Sequence, residues 1–307
     1  MKEFSVRKTA LILSIIMLFS VFLNADIHHN AGKYGYQFLD ISTNPISLSL
    51  AGRGISSSSQ LSSFLRQPAS STIEAHRSIG ASHIIWLADT SCDNLYYSWS
   101  NRKSHFGLAF RSLNYGELEI RDDNGMLIGH YSPLDIDLLG NYAMRLAPSL
   151  YAGVNVGIAY EKLDTDSSLG LHSDLGVAWL PPIAGTQCDL TIRNLGISSE
   201  MDEESTLFAP SLEMDLSKKI NYQNTDITFE LSGMKAVDEN WKAAISSEIA
   251  LFQRLLALRV GYKINYDAEN LTAGLGLNWK NLSVDYGWAS FSDHLNNVHS
   301  FGISYHF

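Results

Sequence analysis

The sequence predicts an all-β protein: a transmembrane antiparallel β-barrel of about fourteen strands, preceded by a short N-terminal plug segment. Three observations lead to this fold class. Apolar and polar residues alternate almost continuously from position 77 to the end of the 307-residue chain. After the N-terminus, no apolar stretch approaches the roughly 20 residues that a membrane helix needs. The chain also ends on a strand with one apolar face, which suits a strand that closes a barrel.

The last nine residues show the alternation most clearly. One face carries Phe301, Ile303, Tyr305 and Phe307, and the other carries Ser300, Gly302, Ser304 and His306. Successive side chains of a strand point to opposite faces, so the apolar set would meet lipid and the polar set a lumen. Such an edge would favour aggregation in a soluble protein, whereas in a barrel it pairs with the first strand.

Residues 1–25 have the pattern of a secretory signal peptide. Lys2, Arg7 and Lys8 precede an apolar run over residues 10–23, and Asn24-Ala25 provides a cleavage site of short residues. The polar residues that follow have no stop-transfer character. The protein is therefore expected to be exported to the bacterial outer membrane, with its mature N-terminus in the periplasm.

Residues 26–74 form the part of the mature chain that lacks clear alternation. Glycines, a serine run at 56–59 and Pro68 divide this segment, and residues 46–50 and 61–65 are predicted as one-turn helices. Its apolar content, which includes Tyr34 and Phe64, favours a plug in the barrel over a flexible periplasmic arm. Residues 75–307 are assigned to the barrel.

The connections between the predicted strands alternate in length. Turns after even-numbered strands are mostly short, whereas the connections over 114–133 and 196–209 are long, as expected for the outer face of an outer-membrane barrel. All six tryptophans fall near a strand end, where aromatic girdles place them. A soluble β-sandwich is the alternative fold, but it does not need so many uniformly apolar outward faces.

Charge and motif content narrow the classes of function. The formal net charge is −10, and removal of three basic residues and one acidic residue with residues 1–25 leaves about −12. Nucleic acid is therefore not expected as a partner. No cofactor is predicted, because the sequence has no glycine-rich phosphate loop and no clustered metal motif. Cys92, interpreted as a loop residue, and Cys188, an outward strand position, have nothing in the sequence that places them together.

Two short stretches resemble chemical motifs. His172, Ser173 and Asp174 combine a base and a nucleophile, but consecutive strand residues point to opposite faces, so His172 and Ser173 would not meet. Residues 122–125, Asp-Asp-Asn-Gly, have the acidic character of a calcium loop. Their Asn-Gly pair and the missing bidentate glutamate favour the tight turn of a protruding hairpin between residues 116–121 and 126–129.

The predicted inward face carries charges of both signs, which would pair across a lumen of low dielectric constant and fill it. Glycines such as Gly261 share this face, so Gly261→Ser is expected to be far milder than Val260→Arg on the lipid face. The candidate site residues are Gln37, Phe38, Leu39, Gly52, Gln67 and Pro68 of the plug, and Arg111, Asp135, Asp137, Arg145, Glu161, His172, Asp174, Arg193 and Arg259 of the barrel.

Several stretches are similar to one family of outer-membrane proteins. Ala31-Gly32, Gln37-Phe38-Leu39, Leu50-Ala51-Gly52 and Gln67-Pro68-Ala69 resemble the family's opening, and residues 83–89, 113–116 and 131–135 resemble one branch. On these residues the chain resembles the PorV/PorQ group, itself similar to FadL-type barrels, and looks most like PorQ. Gln67 stands where the family usually has Asn, and Pro45-Ile46 where it often has Ala-Arg.

The resemblance implies a non-enzymatic barrel that acts in protein secretion or surface attachment around the type IX machinery. The implied partners are outer-membrane lipid, secreted proteins with C-terminal sorting domains and other secretion components. The alternative is a FadL-like transporter of hydrophobic small molecules. A lumen packed with charged residues would argue against a transporter. A hydrophobic pocket in the lumen would argue for it, lined by Tyr34, Tyr36, Phe38 and Phe64. A lipid-modifying enzyme would need a Ser or Asp and a His together on one face near the outer rim, which the alternation does not supply.

Overall fold

The computed structural model describes residues 28–57, 62–74, 76–201, 204–292 and 295–307. The predicted signal peptide lies outside these residues. Fourteen strands form one closed antiparallel barrel, which confirms the predicted fold class and strand number. The barrel strands are β1 (His76–Ile85), β2 (Ser91–Ser100), β3 (Ser104–Asn114), β6 (Leu134–Ala147), β7 (Leu150–Leu163), β8 (Asp166–Trp179), β9 (Thr186–Ser198), β12 (Ser211–Tyr222), β13 (Thr225–Ala236), β14 (Lys242–Leu251), β15 (Leu256–Ile264), β16 (Glu269–Trp279), β17 (Leu282–Phe291) and β18 (Val298–His306).

Four further strands form two small hairpins outside the barrel wall. These are β4 (Leu118–Arg121) with β5 (Leu127–Tyr131), and β10 (Glu200–Met201) with β11 (Glu204–Ser205). In the β4–β5 turn, the carboxylate of Asp122 accepts the N–H groups of Met126 at 2.8 Å and Asn124 at 2.9 Å. These bonds, the one from Met126 foremost, lower the pKa of Asp122. The predicted protruding hairpin is therefore confirmed.

The last strand closes the barrel, as predicted. β18 pairs with β1 in a register that places Tyr305 opposite Ile79 and Phe301 opposite His83. The N–H of Phe307 adds a bond of 2.9 Å to the carbonyl of Arg77. Each strand of the wall thus has two hydrogen-bonded neighbours, and the sheet has no open edge.

The two ends of the barrel differ in the length of their connections. The end that we call the short-turn rim has its connections at 101–103, 148–149, 180–185, 223–224, 252–255 and 280–281. The end that we call the long-loop rim has its connections at 86–90, 115–133, 164–165, 199–210, 237–241, 265–268 and 292–297. The predicted alternation of short and long connections is present.

The outer wall is apolar. Large side chains such as Leu108, Leu138, Ile158 and Leu275 are exposed at outward positions, which is the surface that bilayer hydrocarbon covers. Near the short-turn rim, the ring of Phe106 lies 5.7 Å from Trp99 and 5.1 Å from Tyr142, as in an aromatic girdle. No helix in the part of the chain that the structure describes is long and apolar enough to cross a membrane.

Strand β9 contains a bulge that simple alternation does not predict. Pairing with β8 shifts between Ser173 and Leu175, and Asn194 adopts a left-handed φ of 58°. Its N–H donates to the carboxylate of Asp174 at 3.0 Å. Arg193 and Asn194 are consequently both buried, although they are neighbours in the chain.

The two cysteines lie far apart in the strand order and are free thiols. Cys92 is fully buried in β2, so its prediction as a loop residue is wrong. The reason is that the ladder continues past the end of the apolar alternation, with Cys92 paired to Ile84 of β1 and to Leu113 of β3. Cys188 lies within β9.

Candidate functional site: the plugged lumen

The N-terminal segment runs through the lumen from the long-loop rim to the short-turn rim. At its start, the N–H of Gly35 donates to the carbonyl of Leu207 at 2.9 Å, and that of Tyr36 to the carboxylate of Glu161 at 2.7 Å. At its end, His76 enters β1 opposite Ser100. The first described residues thus lie at the same rim as the long loops.

Short helical turns fold this segment against the wall. Helix α1 (Pro45–Ser49) has Pro at its first position, and the side chain of its N-cap Asn44 accepts the N–H of Ser47 at 2.9 Å. Three 3₁₀ turns follow the same path: Gln37–Asp40, Ser63–Leu65 and Ser70–Thr72. Helical turns predicted at 46–50 and 61–65 are confirmed within the described residues.

An apolar layer, which we call the apolar cap, fills the lumen near the long-loop rim. Tyr36 stacks on Phe208 with ring centroids 4.1 Å apart and planes 8° from parallel. The hydroxyl of Tyr36 also shares a hydrogen bond of 2.7 Å with Ser168. The other buried members of the cap include Phe38, Leu39, Ile41, Leu48, Ile84, Cys92, Leu113 and Val298. Phe64 lies apart, in a separate cluster with Leu65 and Leu139.

Glu213 is the centre of the charged layer beneath the cap. Its carboxylate, buried on β12, lies 2.5 Å from Arg53 and 2.7 Å from Arg66, both of the plug. Arg193 of the wall approaches the same carboxylate at 3.5 Å and lies 2.9 Å from Asp40 of the plug. One wall carboxylate therefore holds two plug arginines, and one wall arginine reaches back to the plug.

The plug arginines stay charged at neutral pH in this setting. Burial disfavours the cation of Arg53, but the adjacent Glu213 and Asp215 outweigh burial and raise its pKa. For Arg66 burial is the larger effect and lowers the pKa to about 10, with Glu213 acting in the opposite direction. The contacts to Glu213 are thus between full charges.

A second ion-paired group lies on the β14–β17 side of the lumen. The guanidinium of Arg259 donates to Glu248 at 2.8 Å and to Asp285 at 2.7 Å. The hydroxyl of Ser57 in the plug donates to Glu248 at 2.5 Å. Lys263, two positions along the same face, pairs with Glu269. This group fixes the plug from the side opposite the β6–β8 wall.

Two asparagines attach the plug backbone to the β6–β7 wall. Asn141 donates to the carbonyl of Pro68 at 3.1 Å, and Asn155 to that of Phe64 at 2.9 Å. Asn141 also donates to Asn155 at 2.6 Å, and Asn155 to Asp174 at 3.0 Å. Buried carbonyls of the plug, which have lost water, thereby obtain partners from the wall.

A small cavity lies between plug and wall in the middle of the lumen. A cavity of 20 Å³, about the room of one water, lies among Arg111, His172, Asp174 and Arg193. A larger polar vestibule of 280 Å³ opens at the short-turn rim, between plug serines and the turn 180–185. From rim to rim the described lumen is thus an apolar cap, a charged layer and a polar vestibule.

Wall glycines let the plug approach the backbone of the strands. A methyl group on Gly153 would lie 2.5 Å from the carbonyl of Pro68, and one on Gly287 would lie 2.5 Å from that of Pro45. Real Cβ atoms do not come so close. The glycines on the inner face are therefore part of how the plug is seated.

Gly153→Val is expected to displace the turn at Pro68 and to destabilise the barrel by about 1–3 kcal/mol, because the added atoms overlap plug backbone. Thermal unfolding and labelling of a cysteine placed at buried Ser63 would measure both effects. Gly140→Val is the matched control, since its new methyl would have its nearest neighbour at 3.9 Å. Equal thermal stability and equal cysteine labelling of Gly153→Val and Gly140→Val would contradict the view that Gly153 lets the plug approach the wall.

The predicted plug residues lie along this path. Phe38 and Leu39 belong to the cap, whereas Gln37 is exposed and donates to Asp238 at 3.0 Å. Gln67 is completely buried and donates to the carbonyl of Val177 at 2.9 Å. Its neighbour Pro68 lies on Gly153, and Gly52 makes a turn with φ 81° after α1.

Most of the predicted barrel residues are buried in the lumen. Arg111 donates to the carbonyl of Phe38 at 3.0 Å, and His172 contacts Asp137 at 2.8 Å. Asp135 accepts the hydroxyl of Tyr115 at 2.7 Å; burial and this bond raise the pKa of Tyr115. Glu161, Asp174, Arg193 and Arg259 have the contacts given above.

Arg145 is the exception among the predicted lumen residues. It has the inward parity of β6, but it is exposed, and its guanidinium donates to the carbonyls of Ala147 at 3.1 Å and Pro148 at 2.7 Å. Its guanidinium lies over the ring of the inward residue Tyr151, but at the short-turn rim, where the inward side of a strand already faces solvent.

The plug arginines were not among the predicted site residues, whereas Glu213 lies at an inward position, as the alternation of its strand predicts. A signal was present: Lys33, Arg53 and Arg66 are the basic residues of 28–74, and cations in a serine-rich segment predicted to be enclosed require acidic partners. Ser173 lies on the exposed face opposite His172, as alternation predicts. Within the described ranges, no three His, Cys, Asp or Glu residues are grouped so that they could hold a metal ion.

Comparisons with known proteins show which solved structures have a similar fold. No family model matches the chain, and no curated protein is significantly similar to it. Among solved structures, the CymD monoaromatic hydrocarbon channel is similar, with a TM-score of 0.63 and 11% identity over 87% of this chain and 98% of that one. The Pseudomonas putida toluene transporter TodX has a TM-score of 0.60 and 11% identity, over 89% and 98% of the two chains. A Pseudomonas aeruginosa FadL homologue has 0.52 and 10%, over 86% and 98%. The fold is thus that of FadL-like outer-membrane barrels.

Proposed function

We propose that this chain is an outer-membrane channel for hydrophobic small molecules and that its plugged lumen is the closed state. The apolar cap is the observation that carries the proposal. Long loops face outward in outer-membrane barrels, so the cap stands at the external mouth, where a hydrophobic solute would first find apolar side chains. Monoaromatic hydrocarbons, named for one structural neighbour, and toluene, named for another, indicate the size class.

The charged layer makes a straight path through the barrel unfavourable for such a solute. Passing it would separate or desolvate the ion pairs of Glu213 and Arg259. A lateral exit avoids this cost, and the bulge in β9 supplies the weak point of the wall. There the β8–β9 ladder is interrupted at Asn194, and a methyl group on nearby Gly196 would lie 2.5 Å from Phe208 of the cap.

A redox-controlled link between plug and wall tests the channel. The hydroxyls of Ser56 in the plug and Ser217 on β12 lie 2.6 Å apart, so cysteines at these positions can form a disulfide. In a background without Cys92 and Cys188, the oxidised Ser56→Cys/Ser217→Cys variant is expected to reduce toluene uptake by whole cells to background. Reduction should restore the uptake.

Ser63→Cys/Ser71→Cys is the matched control, because these hydroxyls lie 2.9 Å apart within the plug itself. It should keep uptake in both redox states if the plug moves as a unit. Protein secretion, the other function that the resemblance implies, predicts a different result. In that case cells lacking the barrel take up toluene normally, while proteins with C-terminal sorting domains fail to reach the surface.

A further inference from the structure

The membrane-facing wall carries a groove that the channel does not use. We call it the outer groove; it has a volume of 600 Å³ and crosses the outside of β12–β16. Its apolar lining includes Leu216, Phe229, Ile245, Val260, Tyr262 and Leu271. In a bilayer this space is filled by hydrocarbon, because it opens to the lipid side of the wall.

The groove owes its depth to one small side chain. Phe229, Ser247 and Val260 stand opposite one another on β13, β14 and β15. Since these three residues point outward in one row, Ser247 leaves a depression between two larger neighbours.

A cation marks one end of the groove. Lys218 continues the same row on β12, opposite Phe229 on one side and Thr186 of β9 on the other. Lys218 is the eighth of the twelve residues of β12. The other charged or histidine residues at outward positions of the described strands all lie within three residues of the end of their strand. Lys218 stands opposite Thr186, the first residue of β9, so its ammonium lies at the short-turn rim, where the anionic headgroups of a bilayer lie.

The protein does not supply that anion within the described residues. The ammonium of Lys218 donates to the carbonyl of Ala184 and, at 3.3 Å, to the hydroxyl of Thr186, both neutral. No carboxylate of the described chain lies within ion-pair distance. Lys219, by comparison, points to the other face and pairs with Asp226. The charge of Lys218 is thus held at the short-turn rim, level with the turn 180–185, without a carboxylate partner in the described chain.

We propose that the outer groove is a binding site for one phospholipid of the leaflet at the short-turn rim. An acyl chain lies along the apolar row and over Ser247. The phosphate accepts a charge-assisted hydrogen bond from Lys218. The site is independent of whether the lumen conducts a solute.

Native mass spectrometry of the full chain in a non-ionic detergent, titrated with phosphatidylglycerol, tests this site. The wild type is expected to retain one tightly bound lipid. Lys218→Met should weaken its binding about fivefold, the change expected from one interfacial basic residue. Ser247→Phe fills the depression and should abolish the single tight site, while heat-modifiable migration confirms that each variant is folded.

Lys280→Met is the matched control, because Lys280 is a cation of the same rim that lies over Trp279 and outside the groove. It should bind like the wild type. Diacylglycerol, which has the chains without the phosphate, should bind weakly and equally to the wild type and Lys218→Met. Equal lipid retention by wild type, Lys218→Met and Ser247→Phe overturns the proposal, as does an equal loss in Lys280→Met.

Discussion

Glu213→Ala is expected to release the plug and to lower the free energy of unfolding by about 3–5 kcal/mol. Removing one partner of a buried ion pair leaves the other charge without compensation. Here three arginines lose the same carboxylate: Arg53, Arg66 and Arg193. Urea unfolding in lipid vesicles measures the stability, and single-channel conductance in planar bilayers measures the opening, which should appear as larger and longer current steps.

Glu119→Ala provides the control for charge removal. Glu119 forms an ion pair of the same 2.5 Å length with Arg121, but both side chains are about half exposed on the β4–β5 hairpin. Loss of this exposed ion pair should lower the free energy of unfolding by less than about 1 kcal/mol and leave the single-channel conductance unchanged. If Glu213→Ala is as mild as this control, the charged layer does not hold the plug.

Val260→Arg is expected to destabilise the inserted barrel by about 2–4 kcal/mol, because an outward cation at the centre of β15 must enter the hydrocarbon core. Val260 is the fifth of the nine residues of β15 and is exposed on the outer wall. Reversible unfolding from vesicles gives the free energy directly. Insertion kinetics into the same vesicles should slow in parallel.

Leu256→Arg separates depth from charge. Leu256 lies on the same strand and the same face, but at the short-turn rim, where an arginine reaches the interface and costs about 0–1 kcal/mol. A cost that does not depend on depth would mean that this wall does not face hydrocarbon.

The barrel could be predicted from sequence because its signal is local and repeated. Each strand must present an apolar face to lipid and a polar face to the lumen, so a period of two survives in every segment. The closing strand at Phe301–Phe307 and the hairpin at Asp122–Gly125 follow from patterns a few residues long. Neither requires knowledge of which strands are neighbours.

The plug contacts could not be predicted in this way, because they join positions far apart in the chain. Arg53 and Glu213 are separated by 160 residues. Alternation assigns Gly261 to the lumen but does not show that the plug lies against it. A methyl there would be 2.6 Å from the Thr272 hydroxyl and 2.7 Å from the N–H nitrogen of Ala51, so Gly261→Ser requires the plug or Thr272 to move, which alternation alone does not show. The bulge at Asn194 likewise breaks the periodicity on which the prediction depends.

The route of the plug constrains how this protein is assembled. The segment begins at one rim and joins β1 at the other, and β1 is the strand against which β18 closes. A chain with this path cannot be pulled into a finished cylinder from one side without being threaded along its whole length. The more direct order of events keeps the segment between the growing strands until the last hairpin docks. The residues that are synthesised before the barrel strands would then act as an internal template around which those strands assemble.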